Sequence, residues 1–114
     1  MSAIETETTP IPGIPEQTQQ RLLQCLTTQP QLRAVWLFGS RAMGRHRPGS
    51  DIDLTLVAPN LSHHDRLRLM GALDDLLLPW SIDLSLQHEL PEPLRQHVAR
   101  VGRRLLPCGP LPTP

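Results

Sequence analysis

The chain has 114 residues, of which 39% are hydrophobic and 19% charged, and its formal net charge is zero. This length suits one small domain and leaves no room for a second, and no apolar stretch is long enough to span a membrane. Since the sequence does not open with a basic and apolar leader, we expect a cytoplasmic protein.

The charges and aromatic residues narrow the class of ligand. All eleven basic residues are arginine, and between Arg21 and Leu106 they outnumber the acids by three. This mild excess suits a nucleoside triphosphate but does not favour an extended nucleic-acid track. Two Trp, one Phe and no Tyr are too few for a base-stacking platform. Cys25 and Cys108 lack metal-ligand spacing, which predicts two unpaired, reduced thiols.

The two ends differ from the middle of the chain. Residues 1–15 and 107–114 hold many of the thirteen prolines and show no apolar periodicity. We therefore expect two disordered tails around one folded domain, residues 16–106.

The first half of this domain begins with a predicted helix over residues 16–28, whose apolar stripe is Leu22, Leu23 and Leu26. Residues 33–38 are apolar β-formers and predict a central strand. A short helical turn over 40–44 and a loop over 45–50 follow.

The second half begins with an alternating strand over residues 51–56. A helix over 61–78 follows, with Ser62 and Asp65 as a capping box and Pro79 as its stop. We expect its inward residues to be Leu67, Met70, Leu73, Leu76 and Leu77.

The remaining predicted elements are a strand over 81–87, a helix over 91–100 and a short edge strand over 103–106. Leu94 and Val98 would face inward from this last helix. Helices alternating with strands predict a small mixed β-sheet flanked by helices, an α/β or α+β fold.

One stretch, residues 38–54, carries the chemistry. Gly39-Ser40 follows an apolar strand, and Asp51 and Asp53 follow after ten intervening residues. The two carboxylates are two positions apart on a strand and share one face, where Mg²⁺ would offset their repulsion. Gly39-Ser40 at a strand-to-helix turn offers backbone N–H groups to phosphate oxygens. The stretch therefore indicates nucleotide chemistry.

Asp83 adds a third carboxylate. The strand over 81–87 alternates in the same way as the strand of Asp51 and Asp53, so adjacent strands would place all three on one face. Taken alone, Asp-x-Asp is often a solvated face and Gly-Ser an ordinary turn. The spacing together with Asp83 favours a metal and phosphate site.

Other candidates remain open. Arg41, Arg45 and Arg47 either solubilise the loop, or one or two of them contact phosphates. His46 is interpreted as a loop histidine, and Trp80 belongs either to the core or to a partner interface.

The sequence from Arg21 to Leu106 resembles the minimal nucleotidyltransferase family of the DNA polymerase β-like superfamily. The resemblance rests on Gly39-Ser40, the ten-residue spacing, Asp51-Ile52-Asp53 and Asp83. It implies a polymerase β-like nucleotidyltransferase fold with two Mg²⁺ ions and ATP as substrate. Carried over to this chain, Gly39 and Ser40 would contact the phosphates of the nucleotide, and we expect Arg41 and Ser50 as further nucleotide-binding residues. The catalytic and metal-binding residues would be Asp51, Asp53 and Asp83, with Asp83 facing the acceptor hydroxyl.

The resemblance also implies a partner. Relatives of this length are often encoded beside a small helical HEPN protein, act as its antitoxin, and in some cases transfer AMP to a tyrosine of that partner. We therefore expect Mg²⁺-dependent transfer of a nucleoside monophosphate, AMP from ATP, to a hydroxyl of a HEPN-type toxin. An antitoxin that acts by binding alone and a small-molecule nucleotidyltransferase are the alternatives. A metal-dependent nuclease would leave Gly39-Ser40 without a purpose.

Overall fold

The structure is a computed structural model, and it describes residues 10–107. Its helices and strands alternate along the chain. They are α1 (Glu16–Leu26), β1 (Ala34–Phe38), α2 (Gly39–Ala42), β2 (Ile52–Val57), α3 (His63–Asp74), β3 (Ile82–Leu86), α4 (Glu92–Val101) and β4 (Arg103–Pro107). No helix within residues 10–107 is long and apolar enough to cross a membrane.

The four strands form one mixed sheet in the order β3-β2-β1-β4. β1 is antiparallel to both of its neighbours, whereas β2 and β3 are parallel. The predicted mixed sheet, the central position of β1 and the edge position of β4 are confirmed. The parallel pair is the part that matters for function, because it fixes which residues of β2 and β3 lie side by side.

The main core lies between one face of the sheet and helices α1 and α3. Alternate residues of each strand point to this face, as period-2 patterning requires. The fully buried strand residues include Val35, Leu37, Leu54, Leu56, Leu84 and Leu86, and α1 contributes Leu22, Leu23 and Leu26. The apolar stripe predicted for α1 is therefore confirmed.

Helix α3 differs from its prediction. The Ser62–Asp65 capping box is present, but the helix ends at Asp74 and its buried residues are Leu69 and Leu73. Leu67 is 49% exposed and Leu77 is 86% exposed, so the prediction that both face inward is wrong. Leu67 lies outside the inward stripe, and Leu77 follows the helix in a left-handed conformation with φ 55°.

The opposite face of the sheet carries a smaller apolar cluster beneath α4. Phe38, Leu90 and Val98 are buried there, with Trp36 and Leu94 packed against them. The predicted inward positions of Leu94 and Val98 are consistent with this cluster. Most of this face outside the cluster is polar, and it carries the candidate site.

The segment before α1 packs more closely than a tail would. Ile11 and Ile14 are 1% and 8% exposed, and the Ile11 backbone N–H donates to Oε1 of Gln19 at 2.7 Å. Burial of these two isoleucines, three positions apart, removes apolar area from water. This stabilises the packed position of the segment despite its prolines. The packed chain thus begins before residue 16, while residues 1–9 and 108–114, including Cys108, lie outside the described part. Cys25 is a free thiol.

Candidate active site

A row of residues crosses three adjacent strands on the polar face. Phe38 at the end of β1 is paired with Asp53 on β2, and Asp53 is paired with Asp83 on β3. Directly paired residues point to the same face of a sheet. The register therefore brings the Asp53 and Asp83 side chains next to each other, as the matching alternation of their strands predicts.

Gly39 continues this row at the point where β1 turns into α2. It adopts φ 76°, and a Cβ atom at this position would collide with the carboxylate of Asp53. The backbone here is left-handed and has no room for a side chain, so both conditions require glycine. The first N–H groups of α2 have no partner within their helix, and the helix begins beside the Asp53 carboxylate.

Asp51 is placed less firmly than the other two aspartates. It precedes β2, which begins at Ile52, and its side chain is exposed. The Ile52 N–H donates to the Ser81 carbonyl at 2.9 Å and ties the end of the loop to the start of β3. The loop before Asp51, and not strand pairing, therefore positions Asp51 at the site.

The three carboxylates interact electrostatically. Burial, followed by repulsion from Asp83 and Asp51, raises the pKa of the Asp53 carboxyl above its ordinary value. The nearby His97 ring opposes part of this rise. Negative charge is thus concentrated at Asp53, where a cation would be stabilised.

The structure places Arg41 away from solvent. Its side chain is 1% exposed, and its guanidinium donates to the carbonyls of Pro12 at 2.8 Å and Ser50 at 2.8 Å. The Ser50 hydroxyl accepts from the backbone N–H of Arg47 at 2.8 Å. Both residues therefore organise the loop before Asp51, and the buried guanidinium does not fit the direct phosphate contact expected from the sequence. Arg45 and Arg47 are exposed.

Sequence reasoning missed His97 near the site and left Trp80 open between the core and a partner interface. The His97 ring packs edge-on against Phe38 with centroids 6.2 Å apart, and Trp80 Nε1 donates to the Pro48 carbonyl at 3.2 Å. His97 lies one position before Val98 on the inward side of α4, so a titratable residue beside the apolar stripe was the available signal. Nothing in the sequence pairs Trp80 with Pro48.

The three aspartates have the ligand atoms that a divalent metal prefers, but their side chains are not arranged as a complete metal site. Asp51, Asp53 and Asp83 offer oxygen ligands of the kind that Mg²⁺ prefers. The raised pKa of Asp53, due to burial and then to the other two carboxylates, reflects the repulsion that such a cation would relieve. Between residues 10 and 107, however, no three His, Cys, Asp or Glu side chains already converge as a metal-binding group.

The family of the chain follows from comparison with known proteins. The family model described as polymerase beta nucleotidyltransferase matches residues 20–107, which include β1 to β4 and all of the site residues. The chain belongs to this nucleotidyltransferase family. The family and the fold predicted from the sequence are thereby confirmed.

Individual relatives agree with this assignment. A probable protein adenylyltransferase, MntA of Haemophilus influenzae, is 35% identical over 68 residues, which are 59% of this chain and 60% of the relative. The chain thus spans less than two thirds of that relative's length. A crystal structure of a toxin–antitoxin with AMP-PNP matches with a TM-score of 0.66 and 28% identity over 83% of this chain and 75% of that chain. A minimal nucleotidyltransferase structure matches with a TM-score of 0.60 and 31% identity over 77% and 92% of the two chains.

Proposed function

We propose that this chain is a Mg²⁺-dependent nucleotidyltransferase that moves AMP from ATP to a hydroxyl group of a HEPN-type partner protein, and that it acts as the antitoxin of that partner. The observation that carries the proposal is the Asp53–Asp83 pair in register beside Gly39. The curated relative named as a probable protein adenylyltransferase supports transfer to a protein. The solved toxin–antitoxin with AMP-PNP supports an adenine nucleotide and a toxin partner.

The chain's own groups would bind and orient the triphosphate. In this proposal the N–H groups at Gly39 and Ser40 donate to phosphate oxygens at the start of α2. Asp51, Asp53 and Asp83 would hold Mg²⁺, which supplies positive charge that offsets the charge of the phosphates. Gly39 leaves room for the Asp53 carboxylate, which lies where a Cβ atom would be.

The proposed reaction is an in-line displacement at the α-phosphorus of ATP. The acceptor hydroxyl oxygen forms the new bond to phosphorus, the bond between the α-phosphorus and the bridging oxygen breaks, and pyrophosphate leaves with the electron pair. Asp83 faces the acceptor and takes its proton. Catalysis would come mainly from positioning and electrostatics, as in other phosphoryl transfers.

In this proposal a partner protein supplies the acceptor hydroxyl. The chain contains no tyrosine, so it cannot be modified on its own tyrosine. Arg45 and Arg47, exposed at the loop, remain candidates for phosphate contact in place of the buried Arg41. The predicted cytoplasmic location stays a prediction.

Labelled ATP tests the reaction type. The chain and its co-purified helical partner are incubated with Mg²⁺ and ATP labelled at either the α- or the γ-phosphate. Label in the partner from α-labelled ATP alone supports nucleotidyl transfer, whereas label from γ-labelled ATP would identify a kinase. Asp53→Asn is the negative control. Wild-type incubation without incorporation from either label contradicts the proposal.

Neutralisation of the partner by binding alone is the second candidate function. It is supported by the structural similarity to a solved toxin–antitoxin. It predicts that Asp53→Asn binds and neutralises the partner as well as the wild type does. Loss of neutralisation in a variant that still binds would exclude it.

A further inference from the structure

We infer that Arg41 and Trp80 are positioning residues that hold the loop 45–50 from two different segments of the chain and so keep Asp51 beside Asp53. This inference rests on the proposed function, since it assigns the two residues to the metal and nucleotide site. It gives Arg41 a different role from phosphate contact. It also places Trp80 in the machinery of this site.

Asp51 needs such support because strand pairing does not reach it. Asp53 and Asp83 are fixed by the parallel register of β2 and β3. Asp51 lies before the first residue of β2 and is exposed. Its position therefore depends on the conformation of the preceding loop.

Arg41 holds this loop from α2. Its Nε and Nη2 donate to the Ser50 carbonyl at 3.3 and 2.8 Å, and Nη2 also reaches the Pro48 carbonyl at 3.4 Å. Nη1 donates to the Pro12 carbonyl at 2.8 Å. A buried cation is costly unless its donors are satisfied, and here four hydrogen bonds to backbone carbonyls satisfy it. The five N–H donors of the planar guanidinium allow these four bonds to three separate carbonyls, whereas a lysine ammonium has three donors at one point.

Arg41 also connects the two halves of the motif. It lies two residues after Gly39, while its partner Ser50 immediately precedes Asp51. The phosphate-binding turn and the metal-binding loop are thus joined through one buried side chain. A shift of the guanidinium would move one half relative to the other.

Trp80 holds the same loop from the segment between α3 and β3. Its Nε1 donates to the Pro48 carbonyl at 3.2 Å, which is also an acceptor for Arg41. Ser81, the next residue, accepts from the Ile52 N–H. The loop and the residue after Asp51 are therefore tied to neighbouring positions at the start of β3.

The segment before α1 also packs against the Arg41 guanidinium. Gly13 has φ 82°, and a Cβ atom there would lie 2.8 Å from Arg41 Nη1 and 2.9 Å from His46 Nε2. Arg41 thus lies between this segment and the loop, and has no room to turn outward on that side. This packing explains why the guanidinium stays buried.

The test uses two conservative variants and two matched controls. Arg41→Lys keeps the charge and loses the fork, while Trp80→Phe keeps an aromatic ring and loses the N–H donor. Arg68→Lys on the exposed side of α3 and Trp36→Phe on β1 are the same chemical changes away from the loop. Hydrogen–deuterium exchange of the nucleotide-free protein reports loop order, and Mn²⁺ affinity by electron paramagnetic resonance reports the carboxylates.

We expect faster exchange in loop 45–50 for both test variants, with exchange of the central sheet close to wild type. The thermal midpoint should fall in Arg41→Lys, because a buried cation loses hydrogen bonds, and should stay close to wild type in Trp80→Phe. Mn²⁺ binding should weaken about tenfold in Arg41→Lys, as for groups that orient metal ligands, and less in Trp80→Phe, which loses one bond. The controls should change neither readout. Unchanged loop exchange, or equally faster exchange throughout the domain, would overturn the inference.

The design separates this inference from the proposed function. Loop exchange is measured without nucleotide or partner, so it tests the role of Arg41 and Trp80 even if no AMP transfer is found. If the two residues hold the loop but wild-type protein transfers no AMP, the proposed function fails by itself. If the wild type is active, both variants should lower kcat more at limiting metal than at saturating metal.

Discussion

Gly39 lies so close to Asp53 that a Cβ atom on Gly39 would collide with the Asp53 carboxylate. The two residues belong to opposite halves of the motif, and the antiparallel pairing of β1 with β2 brings them together. The proposed phosphate-binding turn and a proposed metal ligand therefore form one compact unit.

Gly39→Ala should lower AMP transfer by about 100-fold or more, because the new methyl group displaces the Asp53 carboxylate from its reacting position. It should also destabilise the fold by about 1–2 kcal/mol, because alanine disfavours the left-handed conformation at φ 76°. Chemical denaturation and transfer assays measure the two effects. Gly71→Ala is the control: Gly71 lies in α3 with open space around it, and the change should stabilise by up to about 1 kcal/mol. Wild-type transfer by Gly39→Ala would refute the packing argument.

Asp53→Asn should abolish transfer while raising the thermal midpoint. The charged carboxylate is disfavoured in the folded state by burial and by repulsion from Asp83 and Asp51, which raise its pKa, and the neutral amide avoids both. Asp65→Asn should have the opposite effect on stability, because Asp65 closes the capping box at the start of α3. Differential scanning calorimetry of the three proteins decides. A lower midpoint for Asp53→Asn would show that its charge stabilises the fold.

The same carboxylate should make stability depend on pH. A folded-state pKa above the ordinary value means that the folded protein binds the Asp53 proton more tightly than the unfolded chain does. This contribution is fully present below the unfolded pKa, near 3.8, and is lost as the pH rises through the raised folded value. Urea denaturation from pH 4 to 7 should therefore show a decline in the wild type that is smaller in Asp53→Asn. Parallel curves for the two proteins would contradict the assignment.

Leu77→Gly should stabilise the protein by about 0.5–1 kcal/mol. Leu77 has φ 55° and is 86% exposed, so it pays for a left-handed conformation while burying little apolar area. Glycine adopts this conformation freely, although its greater freedom in the unfolded chain offsets part of the gain. Leu67→Gly, at an exposed position within α3, should instead destabilise by about 1 kcal/mol. Equal losses in both variants would mean that Leu77 makes stabilising contacts.

The sequence predicted the elements that follow from regular periodicity. Alternation around Asp53 and around Asp83 identified both strands, and because side chains alternate strictly, matching positions had to share a face once the strands were adjacent. Gly39 could also be assigned to a turn between strand and helix. These inferences need only local patterns, and the structure agrees with them.

Features that depend on tertiary contacts could not be predicted in this way. From the sequence, Arg41 is a cation in a short helical turn next to a polar loop. Only the packed fold shows that its donors are taken by distant carbonyls such as that of Pro12. Burial of Ile11 depends on a surface formed by later elements. The exposure of Leu67 depends on which face of α3 meets the sheet, and several leucine spacings allowed more than one face.

Intact mass spectrometry of the co-purified partner, after incubation with ATP and Mg²⁺, tests the central claim most directly. The wild-type chain should increase the partner's mass by one or more whole AMP units, and Asp53→Asn should leave it unchanged while still binding the partner. If the partner stays unmodified but remains tightly bound to the wild-type chain and is neutralised by it, the result would contradict adenylyl transfer and favour neutralisation by binding alone.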